Sequence, residues 1–163
     1  MVIMRLPALC IVMVISGASS VPVFAGQDEE AVERTIKAAS SAAATFSETR
    51  DKQAVLQWYS DNYEGTQDGE TETKAAIEKW LDAYGSELQQ GSRLHFLGAV
   101  SNLKPTVSGT LAWATYDYLF QAIRNGELEG QDVGKCTGLL KKEGSRWLIF
   151  HEHCSKTRTG QAQ

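Results

Sequence analysis

The residues of this chain best suited to chemistry lie two positions apart. Thr115 and Asp117 form one such pair, and His151 and His153 another, with Thr137 between the pairs in the chain. A spacing of two puts side chains on one face of an extended strand. Alternation groups Leu111, Trp113, Thr115, Asp117 and Leu119 in one segment, and Lys135, Thr137, Leu139 and Lys141 in the next. In the last segment it groups Trp147, Ile149, His151 and His153, with Glu152 on the reverse face. A three-residue turn at Glu143-Gly144-Ser145 sets Thr137 opposite His151. An Asp beside a His in an apolar cleft has its proton affinity moved toward neutrality. Such a pair can move a proton next to a carbonyl or assist loss of water. The same groups have a plain structural reading, in which the imidazoles bond to backbone and Asp117 pairs with His151 or Lys135 to satisfy a polar group. Two imidazoles on one face also suit a metal, but only Asp117 offers a third ligand, so none is expected. With no Ser-His-Asp triad, phosphate loop or Gly-rich fingerprint in the sequence, no cofactor is expected either.

Four strand-like segments must position these residues: 93–107, 110–123, 133–142 and 146–155, rich in aromatic and β-branched side chains. Turn residues separate them at Ser108-Gly109, Asn125-Gly126 and Glu143-Gly144-Ser145. Three helices come first. Val32, Ile36, Ala39, Ala43 and Phe46 recur at helical steps behind Asp28, Glu29 and Glu30, and a break follows at 47–49. A short helix spans 51–59. The third spans 71–90, with Ile77, Trp80, Leu81, Tyr84 and Leu88 as its apolar stripe and Gly91 as its stop. Between them, 63–69 reads as a short strand and turn. Helices followed by antiparallel strands make an α+β layout. Ala112, Ala114, Tyr116, Tyr118 and Phe120, joined by Leu148 and Phe150, form an apolar strip on the other sheet face. Helices cover one face of such a sheet, and a second subunit is the simplest cover for the other, so a homodimer through the outer sheet face is expected.

Residues 1–25 read as a secretory signal: Arg5, an apolar run over 6–15, small residues over 16–20, and Val23-Phe24-Ala25 at the cut. The run is too short to span a bilayer. Residues 26–163 then make one domain, periplasmic or secreted, with no membrane segment after signal removal. The chain carries −4 overall, and loss of Arg5 leaves −5. Without a basic patch, nucleic acid is not an expected partner. Cys136 and Cys154 fall on partner segments of one hairpin. Export lets a disulfide persist between them, and a pair of packed thiols is the alternative. The tail over 156–163 is polar and expected to fray.

The most specific passage runs from Thr137 to Ser155. A strand ends in Lys141-Lys142, turns at Glu143-Gly144, and returns with Trp147, Ile149, His151, His153 and Ser155 at alternate positions. It resembles the closing hairpin of SnoaL-like proteins of the nuclear-transport-factor-2-like superfamily, and is similar to the end of the association domain of calmodulin-dependent kinase II. Asp68-Gly69, the helix with Ile77 and Trp80, and Ala112-Trp113-Ala114-Thr115-Tyr116 follow the same family order. The resemblance implies a cystatin-like cone, a curved antiparallel sheet packed on three N-terminal helices. It further implies that the faces grouped above line a cavity. Thr115, Asp117, Thr137, His151 and His153 would then sit within walls of Trp80, Trp113 and Trp147. Asp117 would act as base or orienter, the two histidines as partners or donors, and the threonines as ligand-positioning groups. The chain departs from the kinase domain at Cys154. Asp117 and Thr137 occupy positions resembling its pocket arginines, so an anionic ligand is not implied. Because this fold hosts isomerases, dehydratases, cyclases and assembly modules, the expectation is a small, mostly apolar ligand with proton transfer at it. The alternative is a non-catalytic dimeric interaction module.

Overall fold

A computed structural model describes residues 25–157. The proposed signal up to residue 24 and the tail after 157 lie outside the described residues. Helix α1 (Ala25–Thr49) buries Val32, Ile36, Ala39 and Phe46, the stripe its spacing demands. Arg50 at φ 55 ends it. Asp51 then caps α2 (Lys52–Leu56) by accepting from the Ala54 amide at 3.0 Å. Helix α3 (Lys74–Gln89) starts three residues later than the expected 71–90 span. Thr73 is its cap, accepting from the Ala76 amide, and the preceding residues pair as a strand instead.

Six strands follow the order β2-β1-β6-β5-β4-β3. They are β1 (Tyr59–Gln67), β2 (Glu70–Thr73), β3 (Leu94–Ser108), β4 (Leu111–Arg124), β5 (Glu127–Glu143) and β6 (Arg146–Lys156). All neighbours are antiparallel except β1 and β6, which run parallel. Strand β5 starts well before 133, because Asn125 and Gly126, both at positive φ, close a two-residue hairpin directly onto it. The result is the expected α+β architecture: helices on one side of a curved, unclosed sheet. Helix α1 lies along β3, where a Cβ on Gly98 would stand 3.2 Å from that of Ala44, so the missing side chain sets the close approach. Among the described residues no helix is long and apolar enough to cross a membrane.

The helices cover the face of β4 that carries Ala112, Ala114 and Tyr116, all buried; Tyr118 and Phe120 follow half-buried. This corrects the assignment of that strip to a second subunit. The apolar row is the inner face, and Leu111, Trp113 and Thr115 point outward. Simple alternation also fails in the last hairpin. Glu143 pairs with Arg146, so the turn has two residues, and Leu140 pairs with Ile149. The next pair, Leu139 with His151, leaves Phe150 as a bulge. One extra residue reverses the parity of everything beyond it. Trp147 and Ile149 therefore point into the core, whereas His151 and His153 point out and Glu152 points in. Thr137 faces His153 rather than His151.

Candidate functional site

Between the helices and the inner sheet face lies a cavity of about 310 Å³. Five rings supply much of its wall: Tyr59 from β1, Trp80 from α3, and Tyr116, Tyr118 and Phe120 from β4. Trp80 is held by Tyr84, Phe96 and Phe120, with ring centroids 4.9, 5.4 and 6.1 Å away. Such tilted and edge-on contacts fix ring positions.

A polar cluster closes one side. On the inner face Glu72, Gly65 and Glu152 are level with one another across β2, β1 and β6. Gly65 has no side chain, and the Tyr63 phenol lies over it. That hydroxyl stands 3.3 Å from Glu152 Oε2 and 3.5 Å from Glu72 Oε2. The Tyr116 hydroxyl donates to Glu152 Oε1. Tyr59 packs edge-on against Tyr63 at 4.8 Å. Burial raises the proton affinity of Glu152, and the charge of Glu72 adds to it, against the opposing effect of the two tyrosine bonds. Burial likewise raises Glu72, with Tyr63 opposing. Tyr63 and Tyr116 are pushed up by burial first and by Glu152 second.

Tyr63 has one proton and two carboxyl neighbours. When Glu72 is protonated it can donate to the Tyr63 oxygen while Tyr63 donates to Glu152, which gives a continuous relay ending at Glu152, where Tyr116 also donates. Glu72 and Tyr116 reach the cavity wall. The arrangement can thus hold a proton above the usual carboxylate range and offer it, or take one, at the cavity surface.

The structure does gather Thr115, Asp117, Thr137 and His153, but around a hollow on the outer face. Their expected position inside the cone is corrected, because they alternate with the buried row. Both Asp117 oxygens are engaged, by Lys135 Nζ at 2.5 Å and Asn102 Nδ2 at 2.6 Å. These bonds hold its carboxyl below the usual range, opposite to what a base near neutrality requires. His151 is half-buried on the outer side, level with Leu139 and Glu64. Trp113 is 44% exposed outside. Trp147 points inward at another place, where its Nε1 donates to Asp28 and Lys142 lies over its ring. Trp80 stands on the cavity wall. Sequence reasoning did not select Tyr63, Glu72, Tyr116 or Glu152 as site residues. The structure shows which row is buried: Cys136 pairs with Tyr116 and with Cys154, to which it is disulfide-bonded, so the row holding Cys154 and Glu152 is the apolar, inner one.

A family profile described as "SnoaL-like domain" matches residues 36–159. No curated protein matches the chain. Among solved structures, a nuclear-transport-factor-2-like protein with a cystatin-like fold from Novosphingobium aromaticivorans superposes with a TM-score of 0.61 at 16% identity, over 83% of this chain and 86% of that one. A candidate scytalone dehydratase from the same organism gives 0.64 at 17% identity, over 80% and 85%. A candidate calcium/calmodulin-dependent protein kinase II association domain from Xanthomonas campestris gives 0.59 at 16%, over 79% and 87%. At these identities the likeness is one of fold.

Proposed function

This chain belongs to the SnoaL-like domain family, and on that footing we propose that it binds a small ring-bearing molecule between its helices and sheet and moves a proton at it. The observation that carries the reading is a single phenol, Tyr63, shared by two carboxyls beside an aromatic-walled cavity. Carboxyls whose proton affinity burial raises are suited to general acid–base work. The dehydratase name of one neighbour agrees with such chemistry. Glu72 exchanges the proton at the wall, Glu152 takes the complementary charge, and Tyr116 anchors Glu152. We place the protein outside the cytoplasm; the leader-like 1–25 segment and the Cys136–Cys154 disulfide support this.

The test uses Trp80 emission to follow binding of a two-ring ketone such as 2-tetralone, and NMR in D₂O to follow exchange at its α-carbon. Binding with exchange that is lost in Glu152→Gln is expected. Exchange unaffected in Glu152→Gln and in Glu72→Gln refutes the assignment. A second reading, a dimeric interaction module, draws on exposed Leu97, Leu111, Trp113 and Val133. If it holds, Trp113→Glu converts a dimer to a monomer in size-exclusion chromatography.

A further inference from the structure

The cavity and its surroundings have an unusual charge pattern. Among the described residues no lysine, arginine or histidine contributes to its wall, whereas Glu72 and Asp132 do. Asp132 is compensated by Lys156 at 2.8 Å. Glu72 is not: among the described residues neither it nor Glu152 has a basic group within ion-pair distance. Their polar neighbours are tyrosine hydroxyls, which stabilise charge without neutralising it. Two partly buried carboxyls in one cluster cannot both ionise at low cost unless a cation joins them. The remaining wall is a set of ring faces and edges from Tyr59, Trp80, Tyr116, Tyr118 and Phe120. Aromatic faces attract positive charge through their quadrupole and do so more strongly where water is excluded. The Tyr118 hydroxyl is itself buried with no hydrogen-bond partner of good geometry, which leaves one polar contact for a bound molecule to complete.

We infer that the ligand of this cavity is an organic cation, a ring-bearing molecule with an ammonium-type nitrogen held among the aromatic rings beside Glu72. This rests on the reading of the cavity as the binding site and adds the charge class of what it takes. Among the described residues anionic molecules meet no complementary group there, and neutral ones leave the two carboxyls without a countercharge. A cationic nitrogen supplies the missing countercharge.

Three probes of the same shape and different charge make the test: benzyltrimethylammonium, its neutral carbon isostere neopentylbenzene, and the anion phenylmethanesulfonate. Each is titrated into the full mature chain, with tryptophan emission and calorimetry as readouts. The cation is expected to bind about tenfold tighter than the neutral isostere, and the anion not to bind. In Glu72→Gln the cation's advantage should fall to about twofold or less, while the neutral probe keeps its affinity, which also shows that the variant is folded. Ala43→Phe, which fills the cavity from α1, should abolish binding of both. A neutral probe that binds as well as the cation, or an anion that binds best, overturns the charge assignment and leaves the cavity reading standing. If no probe binds, the cavity reading itself fails, and the inference with it.

Discussion

Replacing Gly65 with alanine tests whether the acid cluster is built as described. Gly65 lies in an ordinary extended strand, so the substitution acts through space rather than through backbone strain. A Cβ there would stand 2.4 Å from Tyr63 Oη and 3.0 Å from its Cζ. Comfortable contact begins at 3.4 Å, so the hydroxyl must retreat by about 1 Å. Its bond to Glu152 is already 3.3 Å long and its approach to Glu72 3.5 Å. The retreat takes both beyond bonding range. Leaving a buried hydrogen-bonding group without its partner costs about 1–3 kcal/mol. Alanine also stiffens the unfolded chain, which returns about 0.4–1 kcal/mol. The expected net loss is about 1–2 kcal/mol, read as a drop in the urea midpoint by far-ultraviolet circular dichroism. Tyr63→Phe removes the same bond without the clash. If one bond is at stake, the losses of the two single variants must overlap, and the double variant should lose less than their sum by about 1 kcal/mol or more. Additivity within about 0.5 kcal/mol, or a Gly65→Ala protein as stable as the parent, refutes the shared-phenol arrangement.

Three further outcomes follow. Glu152 has a raised proton affinity in the folded state, so the folded protein keeps a proton that the unfolded chain has given up. The stability this supplies is complete below the ordinary carboxylate value of 4.5 and is lost as pH rises through the folded value. Glu152→Gln should therefore gain stability relative to the parent as pH climbs from 4 to 8 in paired urea titrations, and a constant difference would contradict the burial argument. Reducing Cys136–Cys154, separated by 18 residues, should cost about 3 kcal/mol by loop-closure entropy, seen as a lower urea midpoint in dithiothreitol; an unmoved midpoint would mean that no such bond forms. Asp117→Asn should leave binding in the cavity and α-carbon exchange unchanged, because the residue faces outward; loss of either would restore a role for the outer hollow.

Much of the architecture was legible because it rests on local periodicity. Val32, Ile36, Ala39 and Phe46 at helical steps allow only one buried stripe, and turn pairs such as Asn125-Gly126 allow few connections. The acid-Gly turn with Trp147, Ile149, His151 and His153 also marked the family, since a motif needs no knowledge of which way its side chains point. What those residues face was decided elsewhere. Both rows of β4 can be read as buriable, and nothing within the strand says which one meets the helices. That choice is made by α1 packing close against Gly98 over the row of Ala112, Ala114 and Tyr116. In β6 a single bulged residue, Phe150, exchanges the faces of His151 and Glu152, and a bulge costs so little sequence signal that alternation passes over it. The acid cluster joins Glu72 and Glu152, 80 positions apart in the chain, through the parallel pairing of β1 with β6 and a phenol folded over a glycine. Local composition determined which elements form; the proton-sharing site exists only because strands β1, β2, β4 and β6 meet beneath the helices.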